Sequence, residues 1–143
     1  MSTIELLWSR YELPTLDALH FADGRSYDVD LDAGEPGGMK VAEQFDLDGF
    51  LDEEPEGVTQ VDGQKAVPLS DGGVLWGGEG AHGSNGFCAR LNADLTLVWA
   101  VFFQDSNPFT DIRISGDVAV FASTSGVSIA VHIDDPLRVV GQA

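Results

Sequence analysis

Positive charge is what this chain has least of. Seven lysines and arginines stand against 24 aspartates and glutamates in 143 residues, a formal net charge of −17. A field of that sign repels phosphate chains, so nucleic acid is set aside as a partner. It attracts basic proteins and speeds their encounter. Solubility, or life in a salt-loving host, is the blander use of such a charge. Cysteine is nearly missing as well. Cys88 stands alone, so no internal disulfide forms, and its place between Phe87 and Ala89 in an apolar run predicts a buried, inert thiol. Long hydrophobic runs are lacking: the longest, residues 97–103, falls far short of a bilayer span. The opening residues, MSTIELLWSRYELP, lack the basic segment and apolar run of a secretory signal. A cytoplasmic protein with no membrane partner is the expectation.

What is present is enough for one globular domain. Hydrophobic residues make up 43% and charged residues 22%, a balance that supports a core rather than disorder. The centre of organisation is 86–103, GFCARLNADLTLVWAVFF, which reads as a hairpin: a strand over 86–91, a polar turn over 92–94 and a strand over 95–103. In the second arm Leu95, Leu97, Trp99, Val101 and Phe103 alternate with Val98, Ala100 and Phe102. Both faces are apolar, which places this strand centrally, covered on both sides.

Turn signals divide the rest. Residues 3–13 mix β-branched, aromatic and polar side chains and read as a strand ended by Pro14. Asp23-Gly24 joins two hairpin arms, 16–22 and 26–31. In the second arm Tyr27, Val29 and Leu31 alternate with Asp28, Asp30 and Asp32, so period two puts three carboxylates on one face. Residues 41–51 carry the one helical spacing, and 52–57, DEEPEG, read as an acidic loop. Short strands follow at 66–69, 74–76, 110–115, 118–123 and 127–133, with an edge strand at 137–140. The fold class expected is mainly β, an antiparallel meander forming a sandwich or curled sheet in a single domain, with at most one short helix near 41–51. Charge is divided unevenly: residues 1–57 hold 15 of the acidic side chains and 3 of the basic ones.

Several motifs dissolve on inspection. Gly78-Glu79-Gly80-Ala81-His82-Gly83 spells G-x-G-x-x-G after an apolar strand, but another strand follows where a dinucleotide site needs a helix. The loop over 77–86 reads instead as a flexible connection that uses glycine for positive φ. Asp28, Asp30 and Asp32 begin like a calcium loop, yet its sixth and twelfth positions are Ala33 and Met39 rather than glycine and glutamate. His20, His82 and His132 have no metal-ligand spacing to one another or to Cys88. His82 with Ser84 and Asp71 suggests a hydrolytic group, but no nucleophile elbow accompanies it. No catalytic residue, cofactor or metal is assigned. Trp8, Trp76 and Trp99, with Phe87, Phe109 and Phe121, read as core anchors.

Two resemblances add to this reading. Residues 86–123, with the GFCARLN strand, the Asn-Ala-Asp turn, the LVWAVFF strand and TDIRISGDVAVFAST, resemble one blade of a bacterial β-propeller repeat. That likeness implies a twisted antiparallel unit packed through Trp99. As a small, acidic, cysteine-poor chain without a catalytic signature, the protein also resembles the class of bacterial immunity proteins that neutralise toxins of interbacterial competition. The function expected is therefore a non-enzymatic binding protein whose partner is a basic toxin domain. The contact set expected is Asp28, Asp30, Asp32, Asp46, Asp48, Asp52, Glu53 and Glu54, with Phe50 as an apolar anchor. The alternatives are a nucleic-acid-mimicking inhibitor of a host defence enzyme and a small ligand-binding β-domain.

Overall fold

The computed structural model describes residues 1–141. It opens with a helix, α1 (Thr3–Trp8), where the residue mix of 3–13 predicts a strand. The reason lies at its first turn. The Glu5 amide donates to Ser2 Oγ and the Ser2 amide donates to Glu5 Oε1, a reciprocal cap that satisfies two amides otherwise left without partners. Ile4, Leu7 and Trp8 then share one buried face. Tyr11, at φ +54°, turns the chain out of the helix and into β1 (Glu12–Pro14).

The hairpin announced by Asp23-Gly24 forms as β2 (Ala18–Phe21) and β3 (Ser26–Leu31), with Gly24 at φ +102° in its turn. The helix expected over 41–51 is displaced. Its first half is β4 (Met39–Phe45), paired along β3 with Val29 opposite Val41, and only α2 (Leu47–Glu53) is helical. Pairing with an available strand edge overrides a short helical spacing, as local propensity is a weak prior. Two short helices result rather than one, and Asp52 and Glu53 belong to α2 instead of a loop. The chain continues through β5 (Val58–Gln60), β6 (Asp62–Pro68), β7 (Val74–Glu79), β8 (Gly86–Leu91), β9 (Leu97–Phe103), β10 (Phe109–Ser115), β11 (Val118–Ser123) and β12 (Ser128–His132). The strand expected over 137–140 does not form. There the Leu137 amide donates to Asp135 Oδ1 and the Arg138 amide to the Asp135 carbonyl, a turn held by its own aspartate.

The protein is mainly β and antiparallel, with its sheets not closed into a barrel, consistent with a sandwich. Seven strands make the large sheet in the order β4-β3-β2-β9-β8-β7-β6; β10-β11-β12 make a smaller one, and β1 pairs β5 separately. One core fills the space between the two main sheets, where Leu19, Cys88, Trp99, Val101 and Phe103 meet Phe109, Ile112, Phe121 and Ile129. A second core covers the opposite face of the large sheet, where Phe87, Ala89, Ala100 and Phe102 meet Ile4, Leu7 and Trp8 of α1 and Leu47 of α2. Residues 86–123 therefore span both main sheets: β8 and β9 lie in one, β10 and β11 in the other, and Trp99 meets Phe121 edge-on at 6.4 Å between ring centroids.

β9 is the central strand that its apolar faces predict. Trp99, Val101 and Phe103 enter the first core, Ala100 and Phe102 the second. Leu97 departs from the expected alternation and packs with Ala100 and Phe102. A bulge explains it, because Leu91 opposes Leu97 while Arg90 opposes Trp99, leaving Val98 as the extra residue. Leu95 lies beyond the strand, exposed and at φ +69°. The Trp99 indole N–H donates to the Ile133 carbonyl at 2.9 Å, so its burial leaves no donor unmet. Among the described residues no helix is long and apolar enough to cross a membrane.

Candidate functional site

The acidic side chains expected to form one contact set fall into two groups. Asp28 and Asp30 lie exposed on β3. Asp28 stands opposite Ala18, which in turn stands opposite Phe102, so Asp28 occupies the sheet face that carries the helices. Asp30 stands opposite Lys40 and shares that face. α2 packs on the same face through Leu47, Phe50 and Leu51, with Asp48, Asp52 and Glu53 exposed on the helix and Asp46 and Glu54 exposed at its two ends. Phe50 is half-buried and lies over Gly57. Asp48 accepts a hydrogen bond from Thr3 Oγ1, which ties the start of α2 to α1. Asp32 is the outlier. It leaves the strand, and its Oδ1 accepts the Gly34 amide at 2.9 Å in a turn beside β12. None of these eight carboxylates forms an ion pair among the described residues; the arginines Arg25, Arg90, Arg113 and Arg138 pair elsewhere.

Asp17, just before β2, is a further carboxylate near Asp30 that was not singled out in the sequence. Its Oδ1 accepts the Gln104 amide at 2.7 Å, and burial, with Asp105 and Asp30 nearby, nonetheless raises its carboxyl above the usual range. Period two could have found Asp28 and Asp30, but not a carboxylate brought to them from the start of β2.

The glycine-rich stretch is not the flexible left-handed connection expected. Gly78 and Glu79 end β7, and none of Gly77, Gly78, Gly80, Gly83 and Gly86 has a left-handed φ. What selects glycine is close approach: a side chain on Gly78 would put its Cβ 2.0 Å from the Asp62 carbonyl oxygen. The remaining loop is pinned, with the Ala81 amide donating to Thr59 Oγ1 and Asn85 Nδ2 donating to the Gln104 carbonyl. His82 is exposed there. Asp71 sits at the other end of β7, held by Arg90 Nη2 at 2.9 Å, so these two residues do not assemble. His132 Nδ1 lies 3.3 Å from Asp117 Oδ2 in a structural contact near the first core. Among the described residues no group of three or more histidines, cysteines, aspartates and glutamates could hold a metal ion.

The feature that sequence reasoning missed is a groove of about 750 Å³ at the β6 edge of the large sheet. Tyr11 and Trp76 stack along it, 6.0 Å between centroids at 16°. Trp8 supports both at 5.8 and 5.9 Å. Arg10 comes from the end of α1 and Lys65 from β6, and neither forms an ion pair among the described residues. Trp76 has room because Gly63 and Ala66 face it across the strand pair. No local signal joins Tyr11 to Trp76, since the contact is made by the packing of α1 on the sheet.

Comparisons with protein-family models, with curated proteins and with solved structures find no match for this chain. The class defined here is that of a layered antiparallel β protein carrying an unpaired carboxylate face and an aromatic groove.

Proposed function

We propose that the chain is a non-enzymatic binding protein, an immunity-type inhibitor that lays its carboxylate face over the basic active site of a toxin domain. The observation that carries this is the absence of internal ion pairs, among the described residues, for Asp28, Asp30, Asp46, Asp48, Asp52, Glu53 and Glu54. Unpaired like charges on one side of a fold oppose compaction, and a basic partner relieves that repulsion. Lys40 stands amid them, opposite Asp30, and still forms no ion pair among the described residues. Such charges chiefly raise the association rate, while a few buried side chains supply most of the affinity. Phe50, partly exposed beside the carboxylates of α2, is the apolar contact in this reading.

The test is capture of partners from a host lysate at low and high salt. One basic protein retained at low salt and largely released at high salt is expected. With that partner in hand, the combined change Asp52→Asn, Glu53→Gln and Glu54→Gln should slow association about tenfold at low salt and flatten its salt dependence. Retention of no basic protein at either salt would overturn the proposal.

A further inference from the structure

The acidic face leaves the groove beside Tyr11 and Trp76 without a role. Its lining holds more cations than carboxylates. Arg10 and Lys65 line it against the single carboxylate of Asp62, whereas four other grooves, beside Asp46, Asp32, Asp94 and Glu56, are lined by carboxylates without lysine or arginine. In a chain of net charge −17, two cations on one groove, unpaired among the described residues, have many carboxylates they could have paired with. The same groove is lined by the stacked rings of Tyr11 and Trp76. Tyr11 is 44% exposed, and its φ of +54° is a backbone conformation that costs energy for a residue with a side chain. The packing that offsets this cost holds the Tyr11 ring at the groove wall, against Trp8 and Trp76.

We propose that this groove binds a nucleoside monophosphate, with the base against the Tyr11–Trp76 surface and the phosphate between Arg10 and Lys65. Aromatic side chains stack on bases through the π-faces that every base presents. Two cations match a phosphate monoester, which carries close to two negative charges near neutrality. Gln60 and Asp62, on the same wall, offer a donor and an acceptor to sugar hydroxyls. From the G-x-G-x-x-G stretch only Gly80 and Ala81 reach the groove wall, and neither supplies a charged side chain. The site is independent of the carboxylate face, so either proposal can fail alone.

Trp76 supplies the readout. It is half-buried in the groove, while Trp8 and Trp99 are 3% and 1% exposed. Adenosine 5′-monophosphate titrated into the full chain should quench tryptophan fluorescence saturably. Adenosine, which lacks the anion, and ribose 5-phosphate, which lacks the ring, should each bind at least tenfold more weakly. Lys65→Glu and Arg10→Glu, both at exposed positions, should each weaken binding of the monophosphate about tenfold, and Tyr11→Ala should do the same with Trp76 still reporting. Circular dichroism of each variant verifies that it is folded. No saturable quenching by the monophosphate would overturn the proposal. So would equal affinity for adenosine, or folded charge-reversal variants that bind as the parent chain does.

Discussion

At the residue scale, His20 shows how a polar side chain is committed to the core. Nδ1 lies 2.7 Å from Ser26 Oγ, and Nε2 is buried with no hydrogen-bond partner among the described residues. Burial lowers its pKa to about 3. Below the ordinary histidine value of 6.5 the unfolded chain takes up a proton that the folded chain refuses, so this group withdraws stability as pH falls from 6.5 towards 3. The loss should reach about 2 kcal/mol by pH 5. His20→Gln keeps an amide beside Ser26 and removes the titration. Urea midpoints at pH 7 and pH 5 should therefore converge in the variant relative to the parent chain. Cys88 was legible from its apolar neighbours: it is fully buried, and burial pushes its thiol well above its usual range. Gly38 was not. It sits at φ +74°, and a Cβ there would lie 2.0 Å from the Ser128 carbonyl oxygen. Gly38→Ala should cost at least about 2 kcal/mol in a denaturant titration.

At the element scale, the hairpins were readable because their turns declare themselves. Asp23-Gly24, Gly116-Asp117 and Ser125-Gly126 each place a glycine at positive φ. The helices were harder. α1 and α2 have six and seven residues, too short for hydrophobic spacing to separate them from strands. What distinguishes α1 is its cap, and Ser2-x-x-Glu5 was available in the sequence as that signal. Ser2→Ala removes the cap and the bond from Ser2 Oγ to the Ala22 carbonyl, and should lower stability by about 1 kcal/mol in thermal unfolding. The bulge at Val98 was illegible, since an unbroken apolar run gives no sign of where the pleat slips. The aromatic groove was hidden for a related reason: its two rings are 65 positions apart, and only packing brings them together.

At the scale of the molecule, charge and core act against each other. A net charge of −17 on one fold makes self-repulsion a standing cost, which salt reduces within a Debye length. Raising sodium chloride from about 0.01 to 0.5 M should raise the unfolding midpoint by roughly 5 °C, and Asp17→Asn, which relieves one crowded carboxylate while keeping the acceptor for the Gln104 amide, should reduce that dependence slightly. A midpoint insensitive to salt would show that the carboxylates are too far apart to matter.

The pairing of β2 with β9 has a consequence for synthesis on the ribosome. Ala18 meets Phe102 and Phe21 meets Trp99, so the inner edge of β2 waits for roughly eighty residues to be translated. At ordinary elongation rates that is about 4–16 s. During that interval the nascent chain has β2–β4 to expose but not the strand that covers them. The segment that must wait is also the one richest in aspartate and glutamate, and mutual repulsion between neighbouring nascent chains would keep their open edges apart until the partner strand emerges.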